Sequence, residues 1–98
     1  MAALRWTAEA ERWLGRIYAY IARDNPPAAT RTVLAIHEHA EVLKQFPEMG
    51  YRYDAHSDRH VRILLFGHYR IAYLIKPDRG INILGVFHSA MEIEHYLS

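Results

Sequence analysis

The chain reads as a single α+β domain in which a helical hairpin packs on an antiparallel sheet. Two observations predict this. The first half carries helical periodicity broken once at Asn25-Pro26-Pro27, and the segment from His60 to Glu92 carries three short β-rich runs separated by tight turns. With 98 residues, 51% hydrophobic and 23% charged, the chain is long enough for one core and too apolar for disorder. One domain over residues 1–98 is the expectation.

The N-terminal Ala3-Leu4-Arg5-Trp6 is short and suits an edge strand. Residues 8–23 then place Ala10, Trp13, Leu14, Ile17 and Ile21 at the i, i+3, i+4, i+7 spacing of an amphipathic helix. Thr7 is its expected N-cap, and Glu9 and Glu11 in the first turn suit the helix dipole. A second helix is expected from Ala28 to Phe46, with Ala29, Val33, Ile36, Ala40 and Leu43 along one face and Pro47 ending it. The short connection makes the two helices an antiparallel hairpin. Residues 47–60 lack periodicity and read as an irregular loop.

The β-rich runs fall at about 61–66, 69–76 and 81–88, separated by Gly67-His68 and Pro77-Asp78-Arg79-Gly80, which predicts a three-stranded meander over residues 61–88. Alternation assigns Val61, Ile63 and Leu65, with Tyr69, Ile71, Tyr73, Ile75, Ile81, Ile83 and Phe87, to a face against the hairpin. The other face is expected to mix Arg62, Arg70, Lys76, Asn82 and His88 with Leu64, Phe66, Leu74 and Val86, polar at its ends and apolar in the middle. Such a face suits an amphipathic partner segment. Ser89-Ala90-Met91-Glu92 has the spacing of a capping box and predicts a short C-terminal helix over Ala90–Leu97.

Net charge is only +1, which does not mark a dedicated nucleic-acid binder, but Tyr51 to Gly80 holds six Arg/Lys against three Asp, a local bias that could form a basic face. The chain contains no cysteine, which excludes disulfides and thiolate chemistry. His56 and His60 have the spacing of a helical metal pair but lie in a loop with no third ligand assured, so no metal or cofactor is expected. His37 and His39 are two apart on a helix and cannot face one site. No secretory signal and no apolar run near the roughly 18 residues of a bilayer span is present, so the expectation is a soluble, cytoplasmic protein.

The ordered set of features resembles the RelE/ParE superfamily of bacterial type II toxins. It comprises the short strand, the hairpin broken at Asn25-Pro26, Pro47-x-x-Gly50, Val61-Arg62-x-Leu64, Tyr69-Arg70-Ile71-x-Tyr73, and Ile81-x-Ile83-x-x-Val86-x-His88-x-x-Met91-Glu92. The resemblance implies a toxin neutralised by a cognate, ParD-like antitoxin whose C-terminal segment covers apolar surface. Tyr18, Tyr20, Leu64, Phe66, Leu74 and Val86 are then the expected antitoxin contacts.

RelE-like members cut messenger RNA on the ribosome, whereas ParE-like members poison DNA gyrase without a hydrolytic site of their own. RNA cleavage needs a group to take the 2′-OH proton and cations to stabilise the charge that develops. Arg62, Arg70, His88 and Tyr96 are the residues that could supply this. After the last strand, however, the chain reads His88-Ser89-Ala90-Met91 where nucleases of this kind carry Lys/Arg. The resemblance therefore favours the ParE-like branch: a binding inhibitor of gyrase that blocks replication and serves plasmid maintenance, with Arg62, Arg70, His88 and Met91 as target contacts. The RelE-like nuclease is the alternative, and only that alternative implies direct contact with nucleic acid. Arg62 and Arg70 also admit a structural reading as partners of an acid from the loop or the terminal helix, such as Asp54, Asp58 or Glu92, and His88 as a backbone hydrogen bonder.

Overall fold

The computed structural model of the protein describes residues 2–53 and 59–89. Strand β1 (Leu4–Trp6) leads into helix α1 (Ala8–Ala22), helix α2 (Pro26–Ala40) and a 3₁₀ turn (Glu41–Lys44). Four strands follow: β2 (Tyr51–Tyr53), β3 (Val61–Phe66), β4 (Tyr69–Ile75) and β5 (Ile81–His88). The two helices pack on one five-stranded sheet with strand order β1-β5-β4-β3-β2.

Local chemistry sets the boundaries. The Thr7 hydroxyl accepts from Ala10 N–H at 3.1 Å and donates to the Ile83 carbonyl at 2.7 Å, so one side chain caps α1 and ties it to the sheet. The Asn25 side chain accepts from Ala28 N–H at 3.1 Å, and Pro26 and Pro27 occupy the first turn of α2. The second helix thus begins two residues earlier than its periodicity suggests. It also ends sooner, because the chain tightens into the 3₁₀ turn before Pro47.

The sheet departs from the expected antiparallel meander in three ways. β3, β4 and β5 do pair antiparallel in chain order over residues 61–88. β1, however, adds in parallel to β5, with Leu4 opposite Ile81 and Trp6 opposite Ile83, which makes the sheet mixed. Tyr51–Tyr53, within the expected loop, forms β2 against β3. Finally, a bulge interrupts β5: Ala72 stands opposite Gly85 and Tyr73 opposite Ile83, leaving Leu84 as the extra residue. The expected C-terminal helix, its capping box and His56 lie outside the described residues.

Register corrects the expected faces. Directly paired residues share a face, and Leu64 pairs with Ile71, Arg62 with Tyr73 and Phe66 with Tyr69. Arg62, Leu64 and Phe66 therefore lie on the helix side, opposite to the expectation. The bulge turns Val86 and His88 to that side as well, with Val86 opposite Ile71. Leu64 and Val86 are buried in the main core with Ile71, Tyr73, Ile83, Leu14 and Ile36. A smaller cluster joins Trp13, Ile63, Ala72 and Phe87.

Candidate functional site

Helix α1 buries only the first part of its apolar stripe. Ala10, Trp13 and Leu14 are buried, whereas Ile17 and Ile21 are half-buried and Tyr20 is 72% exposed. The reason lies in the sheet edge: β1 pairs with Ile81–Ile83 only, so β5 beyond that point has no β1 neighbour. Trp13 packs edge-on against Phe87 there, ring centroids 4.7 Å apart. Gly85 makes this possible, since a Cβ at that position would lie 2.6 Å from Phe87 and 3.3 Å from Trp13.

What remains between the second half of α1 and the ends of β4 and β5 is a groove of about 430 Å³. Trp13, Ile17, Tyr20, Ile21, Tyr69 and Val86 give it an apolar lining, and Arg16 and His88 stand at its rim. The Arg16 guanidinium lies 4.6 Å from the centre of the Trp13 ring, a cation–π contact that fixes a positive charge beside the apolar floor. The His88 ring stacks on His68 at 6.1 Å and meets Tyr69 edge-on at 5.8 Å. An apolar trough with a fixed cation suits the apolar face of a peptide segment that also carries a carboxylate.

The basic residues singled out in the sequence do not converge. Arg70 pairs across the sheet with Leu65 and Phe87, on the face away from Arg62, and donates to the Ser89 carbonyl at 3.1 Å. Arg62 stands at the other end of β3 on the helix side. There it donates to the carbonyls of Glu48 and Gly50 and to His60 Nε2 at 3.0 Å, with the Glu48 carboxylate 3.7 Å away. Burial, together with the charges of Arg52, Arg62 and Arg79, holds the His60 pKa below the ordinary imidazole value. Arg62 is thus a tie for the loop before β2.

Of the other predicted residues, Tyr20 and His88 line the groove, as does the buried Val86. Tyr18 is exposed, Phe66 is half-buried and stacked on His39 at 4.6 Å, and Leu74 is half-buried on the outer face. Leu64 is interior. Met91 and Tyr96 fall outside the described residues. Sequence reasoning missed Arg16, Ile17, Ile21 and Tyr69 as groove residues. The available signal was the apolar stripe of α1, which runs longer than three-residue β1 can accompany. Among the described residues no cluster of three metal-ligating side chains occurs, and no helix is long and apolar enough to cross a membrane.

The family profile described as the ParE toxin of the type II toxin–antitoxin system parDE matches residues 4–93. The chain belongs to this family of type II toxins. It is 37% identical over 86 residues to "Putative toxin Y4kP" of Sinorhizobium fredii, covering 88% of this chain and 86% of that one. A solved chain of the chromosomal ParDE system from P. aeruginosa superposes with a TM-score of 0.73 at 26% identity, covering 90% of this chain and 96% of that one. One from the RelBE2 toxin–antitoxin complex of Mycobacterium tuberculosis gives 0.67, also at 26% identity, covering 89% and 96%.

Proposed function

We propose that this toxin acts by binding, that its target is DNA gyrase, and that a cognate antitoxin neutralises it by occupying the α1 groove. The observation that carries the binding mode is the separation of the cations. Arg62 and Arg70 lie on opposite faces of the sheet, and Arg62 is engaged by the Glu48 and Gly50 carbonyls. Cleavage of RNA would need cations gathered about one phosphoryl group. Membership of the ParE family supports gyrase as the target, and the relatives solved as toxin–antitoxin systems support an antitoxin partner in a hetero-oligomer. Action on gyrase also implies a cytoplasmic location. In the groove, the antitoxin segment lays aliphatic or aromatic side chains against Trp13, Ile17 and Tyr20 and sets a carboxylate against Arg16.

The test uses purified toxin with gyrase and relaxed plasmid, and in parallel with translating ribosomes carrying messenger RNA. Loss of supercoiling, reversed by stoichiometric antitoxin, with intact message is the expected result. Cleaved message with unaffected supercoiling would replace this reading with the nuclease one.

A further inference from the structure

Of the residues that line the α1 groove, Arg16 is the one with a permanent charge. Its surroundings differ from those of its fellow cations. Arg12 is paired with Glu9 at 2.6 Å, Lys44 with Glu41 at 2.7 Å and Lys76 with Asp78 at 3.9 Å, while Arg62 and Arg79 share Glu48. Among the described residues Arg16 has no ion-pair or hydrogen-bond partner, and its contact is the face of the Trp13 ring. Glu9 feels the Arg16 charge, yet its carboxylate is already bonded to Arg12.

The Trp13 ring is itself held, edge-on against Phe87 and beside the space that Gly85 leaves open. Its contact with Arg16 consumes no N–H donor, so the fork of donors that matches a carboxylate remains available. In the free toxin the Arg16 side chain is exposed and solvated. A segment seated in the groove removes that water, after which an unmatched guanidinium is costly and a paired one is not. Selectivity then comes from the penalty on the wrong partner as well as the gain on the right one. The neighbouring row sets where the match must fall. Trp13, Ile17 and Ile21 recur every fourth residue of α1 and span about 12 Å, roughly two helical turns. Arg16 stands beside the Trp13 half of this row, one turn before Tyr20.

We propose that Arg16 is the specificity-determining residue of the groove. It admits an apolar segment that carries Asp or Glu at the end of its apolar row lying over Trp13, and it rejects an equally apolar segment with a neutral or basic residue there. The proposal rests on the reading that the antitoxin occupies this groove, and it makes one charge the basis of choice between related antitoxins.

The test measures the dissociation constant of the cognate antitoxin for wild-type toxin, Arg16→Glu and Tyr20→Ala. It repeats the measurement with single Asp/Glu→Arg variants through the antitoxin's C-terminal segment. Arg16→Glu should weaken the wild-type antitoxin at least roughly tenfold. One acid-to-arginine variant, itself weakened against wild-type toxin, should recover most of that loss against Arg16→Glu. Arg16 is exposed, so the free Arg16→Glu toxin should melt close to the wild type, which separates lost recognition from lost folding. Affinity unchanged in Arg16→Glu, or lost with no reversed-charge variant restoring it, overturns the proposal. If Tyr20→Ala is weakened and Arg16→Glu is not, the groove reading stands and the specificity role of Arg16 falls. If neither is weakened, the groove reading itself fails and takes the role of Arg16 with it.

Discussion

Tyr73 shows how one side chain serves both core and surface. Its ring belongs to the main cluster, while its hydroxyl satisfies the Gly50 N–H and the Pro47 carbonyl. Tyr73→Phe would keep the packing and strand both backbone groups, at a cost of about 1–3 kcal/mol for a buried donor left unpaired. Urea denaturation measures this directly. His60 makes the neighbouring tie pH-dependent. It accepts from Arg62 Nε only when Nε2 is unprotonated, and its folded pKa is lowered by burial, Arg52, Arg62 and Arg79, with Glu48 opposing. The unfolded chain therefore binds the extra proton first, and stability is complete above the unfolded value of about 6.5 and is lost as pH falls through the folded one. His60→Gln retains an acceptor for Arg62 without a titrating group. Its denaturation midpoint should vary less with pH than that of the wild type between about pH 7.5 and 5. Equal slopes would assign the acid sensitivity to other groups.

At the level of elements, position and type were largely legible, whereas register was not. Helical spacing and Asn25-Pro26-Pro27 located the hairpin because capping and proline chemistry are local. Gly67, at φ 58, and the Pro77–Gly80 turn bounded the strands for the same reason. Two features depend on distant residues and left no local signal: the parallel pairing of β1 with β5, and the bulge at Leu84. Because side chains alternate with period two, that one extra residue carries Val86 and His88 to the other face. The same ambiguity placed Leu64 outside. The groove was half legible, in the α1 stripe and Tyr20, but its depth depends on where β1 stops. The faces can be separated experimentally. Leu64→Ala should cost about 2–5 kcal/mol as a core truncation, whereas Leu65→Ser, at an exposed position on the next residue, should stay within about 1 kcal/mol. Similar costs for the two would contradict the register of β3 on β4.

For the whole molecule, linkage can test where the antitoxin sits without reference to any target. A partner that binds only the folded state stabilises it by an amount set by its free concentration relative to Kd, about 2.7 kcal/mol at a hundredfold excess. In a domain of this size that corresponds to a rise in Tm of roughly 10–20 °C. Antitoxin added to the free toxin should produce a shift on this scale. Tyr20→Ala removes a groove side chain that is 72% exposed, so the melting of the free toxin should hardly change. The antitoxin-induced shift should nevertheless fall, because an apolar contact with the partner has gone. Phe46→Ser/Met49→Ser alters exposed side chains of the turn before β2, outside the groove, and should leave the shift intact. Scanning calorimetry of the three proteins with and without antitoxin therefore maps the antitoxin to one end of the sheet. A shift diminished by the turn substitutions and not by Tyr20→Ala would move the antitoxin from the α1 groove to the Phe46–Tyr51 turn.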